Sequence, residues 1–571
     1  MRRGGITRII LIVSVLVFCF FIVHFLRNTN TCETAAPNGQ NENVDAIIEL
    51  LKNEKLNEHL GRKDQSHSST RDSSDSMFRY YDELPLSDLE NTYIPNHIYY
   101  VWCYNNTIEF KHYLSIMAAW KMMRPDSITF YTKYNITDNN EHYNFWLSEL
   151  LVTISGFKVE LLPPFWDGQE HGCGVWFAFA VLNDVGGIYF SDNLFPMKSL
   201  RFIRNNQFVV ATTKTMKDIS FIASTSKNER LKPFMKLYEN SEVSPPLVPG
   251  LHFCDSTMEI TISKYDSILC THVGKILPVQ IMHLNSSFGT LARKVMYGYP
   301  NEVKVKTLIP GFIPKIFHMV WYGQKAMDFT MYLCLRSILT IVKPDKVFIH
   351  GDGQLYGKYL DELKKDIRVV FVYREVPNHI YGKQIIYMQH RSDIIRADVL
   401  LKYGGIYSDW DVLWLKPIDE LISTGFDTIL NLDHMPRPGY PDSINLGVLM
   451  SKPGSHFIKH WQDSLVNYRS RDFYFNAIEL PYKIFEKYPE TVHIESHLQV
   501  MCYFLKCHPT FHPDFRNYNA PQPFNWTTDV YSIHFTHPDP PEYANESALR
   551  NGKGMFTDIA NYILKQPFKF V

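Results

Sequence analysis

Apolar and polar residues alternate along this chain in three successive regimes. Ile9–Leu26 is an uncharged, almost wholly apolar run of 18 residues, preceded by Arg2, Arg3 and Arg8. That length sits at the short end for a membrane span, and basic residues before it favour a cytosolic N-terminus. No small-x-small cleavage site follows cleanly, so the pattern predicts a signal anchor over 9–26 with a cytosolic tail at 1–8. Residues 27–90 are polar and Ser-rich at 66–76. They read as a stem with too little apolar surface for a core, holding at most a short amphipathic helix over 44–60. Beyond residue 90, short β-rich apolar runs alternate with helical lengths. Lys315–Tyr322, Lys346–His350 and Val369–Tyr373 predict strands. Thr330–Ile341, Gln354–Lys365 and Gln384–Tyr403 predict helices, the last stopped by Gly404-Gly405. This alternation is the signature of an α/β domain with a mostly parallel sheet, in which ligands sit at the carboxyl ends of strands.

The pattern also repeats. Ile94-Pro95 and Val101-Trp102 recur as Ile313-Pro314 and Val320-Trp321, 219 positions later. Phe110, Tyr113-Leu114 and Pro125-Asp126 recur at the same spacing as Phe329, Tyr332-Leu333 and Pro344-Asp345. Gly186-Gly187-Ile188-Tyr189 recurs as Gly404-Gly405-Ile406-Tyr407 at a spacing of 218, and Ser226-Lys227 aligns with Ser451-Lys452 after a small insertion. Near the ends, Ile281–His283 resembles Ser532–His534. A nearly constant spacing over so many landmarks predicts two copies of one domain, at 91–300 and 301–571.

Composition narrows the function. The 58 Lys+Arg against 59 Asp+Glu give a net charge of -1, without the basic excess of a nucleic-acid binder. An apolar fraction of 45% excludes a disordered chain. Nine Cys are too thinly spread for a disulfide-stapled miniature fold. Eight of them follow the apolar run, and in an oxidising compartment some of these can pair. Five N-x-Ser/Thr sequons, at Asn105, Asn135, Asn285, Asn525 and Asn545, suit a lumenal chain.

The candidate chemistry lies in the second copy. Asp409-Trp410-Asp411 follows the Gly-Gly stop on a strand-like run, and alternation places both carboxylates on one side with Trp410 turned toward the core. Such a pair suits a hard divalent cation. Thirteen residues before Asp409, Arg396 stands three positions from Asp393 on one helix face. Two Asp one residue apart cannot flank a glycosidic bond at the ~5–9 Å that hydrolases use.

The run RSDIIRADVLLKYGGIYSDWDVLWLKPID resembles the glycosyltransferases with a D-x-D sugar-binding region. These include yeast-type mannosyltransferases, α-1,4-galactosyl- and N-acetylglucosaminyltransferases and the clostridial glucosylating toxins. The strand over Ile313–Trp321 and Asn445-Leu446-Gly447 resemble further elements of that family. The resemblance implies two tandem GT-A-like nucleotide-sugar domains, the second catalytic. It implies Mn²⁺ (or Mg²⁺) and a nucleotide-sugar donor, with the donor's anomeric configuration retained. The acceptor would be a glycan, glycolipid or glycoprotein, and the setting the Golgi membrane, in single-pass type II orientation. By position, Asp411 would ligate the metal and Asp409 the ribose or the metal's water shell. Asp393 and Arg396 would hold the donor hexose. Val320 and Trp321 would line the nucleotide pocket, while Asn445 and Gly447 would border the acceptor. His534 and His537 match late metal or diphosphate contacts, although Pro538 follows where the family often has Ser-Trp.

The first copy serves as an internal control. Ser191 and Asn193 stand for Asp409 and Asp411, Ala178 for Arg396 and Val175 for Asp393. Ser220 and Ile222 stand for Asn445 and Gly447, and Ser286 for His537. Trp102 and His283 stand beside Trp321 and His534, which leaves packing open for those two. The copy reads as degenerate. The alternative for the whole chain is a non-catalytic lumenal protein that binds glycans or a partner transferase.

Overall fold

In the computed structural model, the structure describes residues 93–571 except 105–106, 137–142, 164–172, 192–193, 198, 213–218, 233–252, 255–268, 272–275, 435–441, 504–505, 512–523 and 537–542. The predicted tail, anchor and stem lie outside the described residues, and no described helix is long and apolar enough to cross a membrane.

The first half contains β1 (His97–Trp102), α1 (Phe110–Met123), β2 (Ser127–Thr132), α2 (Phe145–Thr153), β3 (Phe157–Leu161), α3 (Cys173–Val185) and β4 (Gly187–Phe190). There follow β5 (Leu194–Pro196), β6 (Phe208–Thr212), β7 (Ile219–Ser224), β8 (Phe253–Cys254), β9 (Leu269–Thr271), α4 (Pro278–His283) and α5 (Ser287–Tyr297). Its large sheet has the order β3-β2-β1-β4-β7-β6, and a small sheet has the order β5-β9-β8.

The second half contains β10 (Ile316–Trp321), α6 (Phe329–Ser337), β11 (Lys346–Gly351), α7 (Lys358–Leu363), β12 (Val369–Tyr373), α8 (Met388–Tyr403) and β13 (Gly405–Ser408). Next come β14 (Val412–Trp414), β15 (Thr428–Leu430), β16 (Leu432–Asp433), β17 (Ser443–Ile444), β18 (Val448–Ser451), α9 (His456–Ser464) and α10 (Leu480–Lys487). The last are β19 (His493–Ile494), β20 (Val500–Tyr503), β21 (Lys506–His508), β22 (Ser532–Phe535) and α11 (Met555–Lys565). The large sheet has the order β12-β11-β10-β13-β18-β15-β19, and the small one β14-β22-β20-β21. Strands β10 to β13 of the large sheet run parallel, and β18 reverses against β13. The six strands of the first half follow the same order and senses as the first six of this sheet, and no described strand there corresponds to β19.

Local chemistry explains where the elements stop. Helix α6 passes into a π-helical turn over Ile338–Val342, so the predicted helix over Thr330–Ile341 is present. The one expected over Gln354–Lys365 shortens to α7, because Gly357 at φ 107° opens it and Leu355–Tyr356 pairs with Lys325–Ala326. Helix α8 starts at Met388 rather than Gln384. Tyr381 and Gly382 both adopt positive φ, the backbone of a tight hairpin turn, and Lys383–Gln384 pairs with His379–Ile380. At the end of α8, Gly404 has φ 65°, and a Cβ there would meet Pro453 N at 2.7 Å. Only glycine permits so close a return of the chain.

The ladders correct two parts of the internal alignment. Gly187 pairs with Ser224 as Gly405 pairs with Ser451, so Ser224, not Ser226, is the counterpart of Ser451. Ser220 then stands for Gly447, and the counterpart of Asn445 falls at 218, outside the described residues. His283 ends helix α4 and is not the counterpart of His534. His534 pairs with Val412, whereas Leu194, the counterpart of Val412, pairs with Thr271. The sequence match at His283 compared a helix with a strand. The imidazole at the place of His534 is therefore absent from the first half together with the acids.

The buried core of the second half runs through both of its sheets. Phe317, Met319, Ile406, Trp414, Val448 and Ile533 lie in one cluster. Strands β10, β13, β14, β18 and β22 are buried along nearly their whole length, as in a sheet covered on both faces.

Candidate functional site

Asp409 and Asp411 do not sit on a continuous strand. Strand β13 ends at Ser408, residues 409–411 turn, and β14 begins at Val412 in the other sheet. The turn, not the pleat, brings the two carboxylates together. Trp410 is buried as expected, and its Nε1 donates to Val320 O at 2.9 Å. The backbone N–H of Asp409 donates to Gly447 O at 2.9 Å, which ties the turn to the start of β18.

His534, on β22, completes the cluster. One ligand atom each from Asp409, Asp411 and His534 lies within 4.8 Å of the others. His534 Nε2 is 3.0 Å from Asp411 Oδ1, and Nδ1 is 3.2 Å from Gln499 Oε1. The orientation of Gln499 follows from its amide nitrogen, which donates to Asn431 Oδ1 at 2.6 Å and to Asn445 O at 3.3 Å. Its oxygen must therefore accept from His534 Nδ1–H. That leaves Nε2 facing the Asp411 carboxylate, where it can hold either a proton or a metal ion. Burial would lower the pKa of His534, but Asp411 above all raises it beyond the usual value. Two carboxylates and one imidazole, open on one side, fit a divalent ion such as Mn²⁺.

Arg396 forms the inner wall. It is 5% exposed, and its guanidinium stacks on the Tyr407 ring at 3.8 Å. It donates to Asp409 Oδ1 at 3.2 Å and to Leu446 O at 2.5 Å, and it lies 3.6 Å from Asp393 Oδ1. Tyr407 also donates to Asp409 Oδ1, at 2.8 Å. Burial pushes the Asp393 carboxyl up to about 6, against the pull of Arg396. Partial burial likewise raises Asp409, with Arg396 opposing and Asp411 adding to the rise.

A second wall comes from β16, β20 and the residues that follow β17. Asn445 Oδ1 accepts from Gly447 N at 2.8 Å, and its Nδ2 donates to Asp433 Oδ2 at 3.3 Å. Tyr503 donates to the same oxygen at 2.8 Å. Burial raises the Asp433 carboxyl above its ordinary range against those hydrogen bonds. Cys502 and Cys507 form a disulfide across β20 and β21 beside this wall.

The structure brings together Asp393, Arg396, Asp409, Asp411, Asn445, Gly447 and His534. Val320 and Trp321 end β10 at the same edge. Val320 is buried under Trp410, and Trp321 is half-buried, with its Nε1 donating to Gly323 O at 3.0 Å. His537 lies outside the described residues. Sequence reasoning missed Tyr407, Gln499, Asp433 and Tyr503. Tyr407 passed as scaffold because Tyr189 shares it. Gln499 and Asp433 carry no local motif and reach the site only through strand pairing.

Gly447 has a specific reason to be glycine. A Cβ there would meet His534 Cε1 at 2.3 Å and Nδ1 at 2.6 Å. Gly447→Ala is therefore expected to push the imidazole off Gln499 and weaken Mn²⁺ binding by about 10–100-fold, the usual cost of disturbing a ligand's orientation. Titration of Mn²⁺ by calorimetry on the two proteins measures this, and unchanged affinity would contradict the placement of His534.

Residues 348–427 match the glycosyltransferase sugar-binding region containing a DXD motif. The chain is 25% identical over 239 residues to glucan organizing enzyme 1 of Cryptococcus neoformans var. grubii, an alignment covering 38% of this chain and 62% of that protein. The chain thus spans less than two thirds of that relative's length. Among solved structures, it is similar to the galactosyltransferase LgtC in complex with donor and acceptor sugar analogs, with 16% identity and a TM-score of 0.27. That match covers 44% of this chain and 97% of LgtC. It is similar also to the PaToxG glycosyltransferase, with 19% identity, a TM-score of 0.24, and coverage of 32% and 71%.

Proposed function

We propose, from the premise that residues 348–427 are a D-x-D glycosyltransferase sugar-binding region, that the second half transfers a sugar from a nucleotide-sugar donor to a glycan or glycoconjugate acceptor. The observation that carries this reading is the convergence of Asp409, Asp411 and His534 beside the buried Arg396. Asp409, Asp411 and His534 would hold Mn²⁺, with His537 as a further contact. The ion would neutralise charge developing on the diphosphate leaving group. Arg396 and Asp393 bind the donor hexose, Arg396 as a fixed cation and Asp393 as a buried acceptor. Val320 and Trp321 bound the base and ribose. Asp433, Asn445 and Tyr503 form the wall against which an acceptor hydroxyl is oriented. We assign retention of the anomeric configuration, as the family resemblance implies.

The reading extends to the whole chain. We take 91–300 as a degenerate copy of the domain at 301–571, supported by the shared strand orders. We take 9–26 as a signal anchor and 27–90 as a stem, which makes this a Golgi-type, type II membrane protein. The disulfide Cys502–Cys507 suits an oxidising lumen.

The test is a screen of nucleotide sugars against the lumenal chain, reading hydrolysis or transfer with Mn²⁺ and with EDTA. At least one donor is expected to turn over with Mn²⁺ and to stop with EDTA. If no donor binds or reacts, the reading fails and a glycan-binding or scaffolding role takes its place.

A further inference from the structure

Lys483 belongs to helix α10 of the second half, yet its ammonium lies in a cage built largely by the first. Nζ is 3.8 Å from the Trp146 ring centroid and 4.6 Å from that of Phe145, both on α2. It is 3.0 Å from Glu149 Oε1, also on α2, and 3.0 Å from Glu486 Oε2 on its own helix. The Lys483 and Glu486 side chains are 9% and 4% exposed. Trp146 is itself fully buried, against Phe110 at 4.9 Å and Tyr113 at 5.3 Å. Tyr113 on α1 and Tyr297 on α5 close the surroundings. Burial holds both hydroxyls well above their usual range, and Glu149 and Glu486 respectively add most to that. Burial also raises the Glu486 carboxyl, with Lys483 pulling it back and Glu149 adding to the rise.

An ammonium is strongly hydrated, and burying one is costly unless charges and ring faces replace its water. Here two carboxylates and two aromatic faces do so, and three of those four groups come from the other half. Removing the ammonium leaves two carboxylates buried without their cation. The cage is thus a far more specific contact than packing of two apolar surfaces.

Its position gives it a target. Helix α10 follows directly from a π-helical turn over Phe475–Glu479, and both pack on β17. Strand β17 runs into Asn445-Leu446-Gly447, and Ser443 Oγ donates to Asp433 O at 3.3 Å. A continuous path therefore leads from Trp146 and Glu149 through Lys483 and α10 to the wall carrying Asn445 and Asp433. We infer that the first half acts as a built-in positioning partner, which grips Lys483 to set the acceptor-side wall of the second half. This rests on the reading of the second half as a transferase only in calling that wall the acceptor side.

The test uses the full lumenal chain with Lys483→Met, Lys483→Arg and Glu149→Gln. Two readouts are taken: hydrogen–deuterium exchange along the chain and Mn²⁺-dependent nucleotide-sugar binding by calorimetry. Lys483→Met is expected to speed exchange over 442–448 by about tenfold, as local opening becomes easier. Exchange in β11 and β12, which carry no residue of the cage or of the 442–448 segment, should change less than about twofold. Lys483→Arg should restore most of the protection. Unchanged exchange over 442–448, or equal acceleration across the whole second half, would overturn the inference. If Lys483→Met does not fold, Glu149→Gln gives the same reading from the first-half side. A wild-type chain that binds no nucleotide sugar would sink the transferase reading while leaving the exchange result to decide this one.

Discussion

Asp411→Ala is expected to reduce donor turnover by on the order of 10²–10³-fold, the scale seen when a group that stabilises transition-state charge is lost. The Asp411 side chain is 39% exposed and its Oδ1 faces His534 Nε2, so the variant loses a ligand without losing core packing. Its thermal midpoint should stay near that of the wild type. Excess Mn²⁺ should not rescue it fully, because Asp409 Oδ1 already accepts from Arg396 and Tyr407. Full turnover in Asp411→Ala would remove the metal reading of the turn. The comparison is read as steady-state turnover of the best donor across a Mn²⁺ series.

Arg396→Ala should show the opposite profile, a loss of fold as well as function. It strands Asp393 and Asp409 beside an empty, water-poor space and frees Leu446 O and the Tyr407 ring face. Breaking a buried charge network in this way costs roughly 3–5 kcal/mol. The first half suggests the compensation: Ala178 and Val175, both buried, occupy the places of Arg396 and Asp393. Arg396→Ala combined with Asp393→Val should therefore recover part of the stability and none of the activity. Urea unfolding of the single and double variants measures this. A double variant no more stable than the single would mean that Asp393 is not the stranded charge.

The legible parts of this molecule were the local ones. Strand and helix periodicity placed β10, β11, β12 and α6 closely, and glycine chemistry placed the end of α8. Asp393, Arg396, Asp409 and Asp411 were readable because one helix and the turn after it carry all four. Gln499, Asp433 and Tyr503 were not. They lie on strands joined to the site only by pairing, and no spacing along the chain encodes which strand will lie beside β22. The same limit explains His283. Residue identity matched it to His534, but hydrogen-bond register matched His534 to Thr271. The acid pair was placed on one side for a reason that the fold replaces, since a turn between sheets achieves what alternation was expected to do.

The turn that carries Asp409 and Asp411 has Ser191 and Asn193 in place of its two acids in the sequence of the first half. Its shape in the second half is held by Trp410 on Val320 O and by Asp409 N on Gly447 O, contacts that use an indole and the backbone and no carboxylate. Architecture and reactivity are therefore separately heritable at this corner. Two side-chain changes at the turn are enough to remove the acid pair while leaving these contacts of the folded body in place.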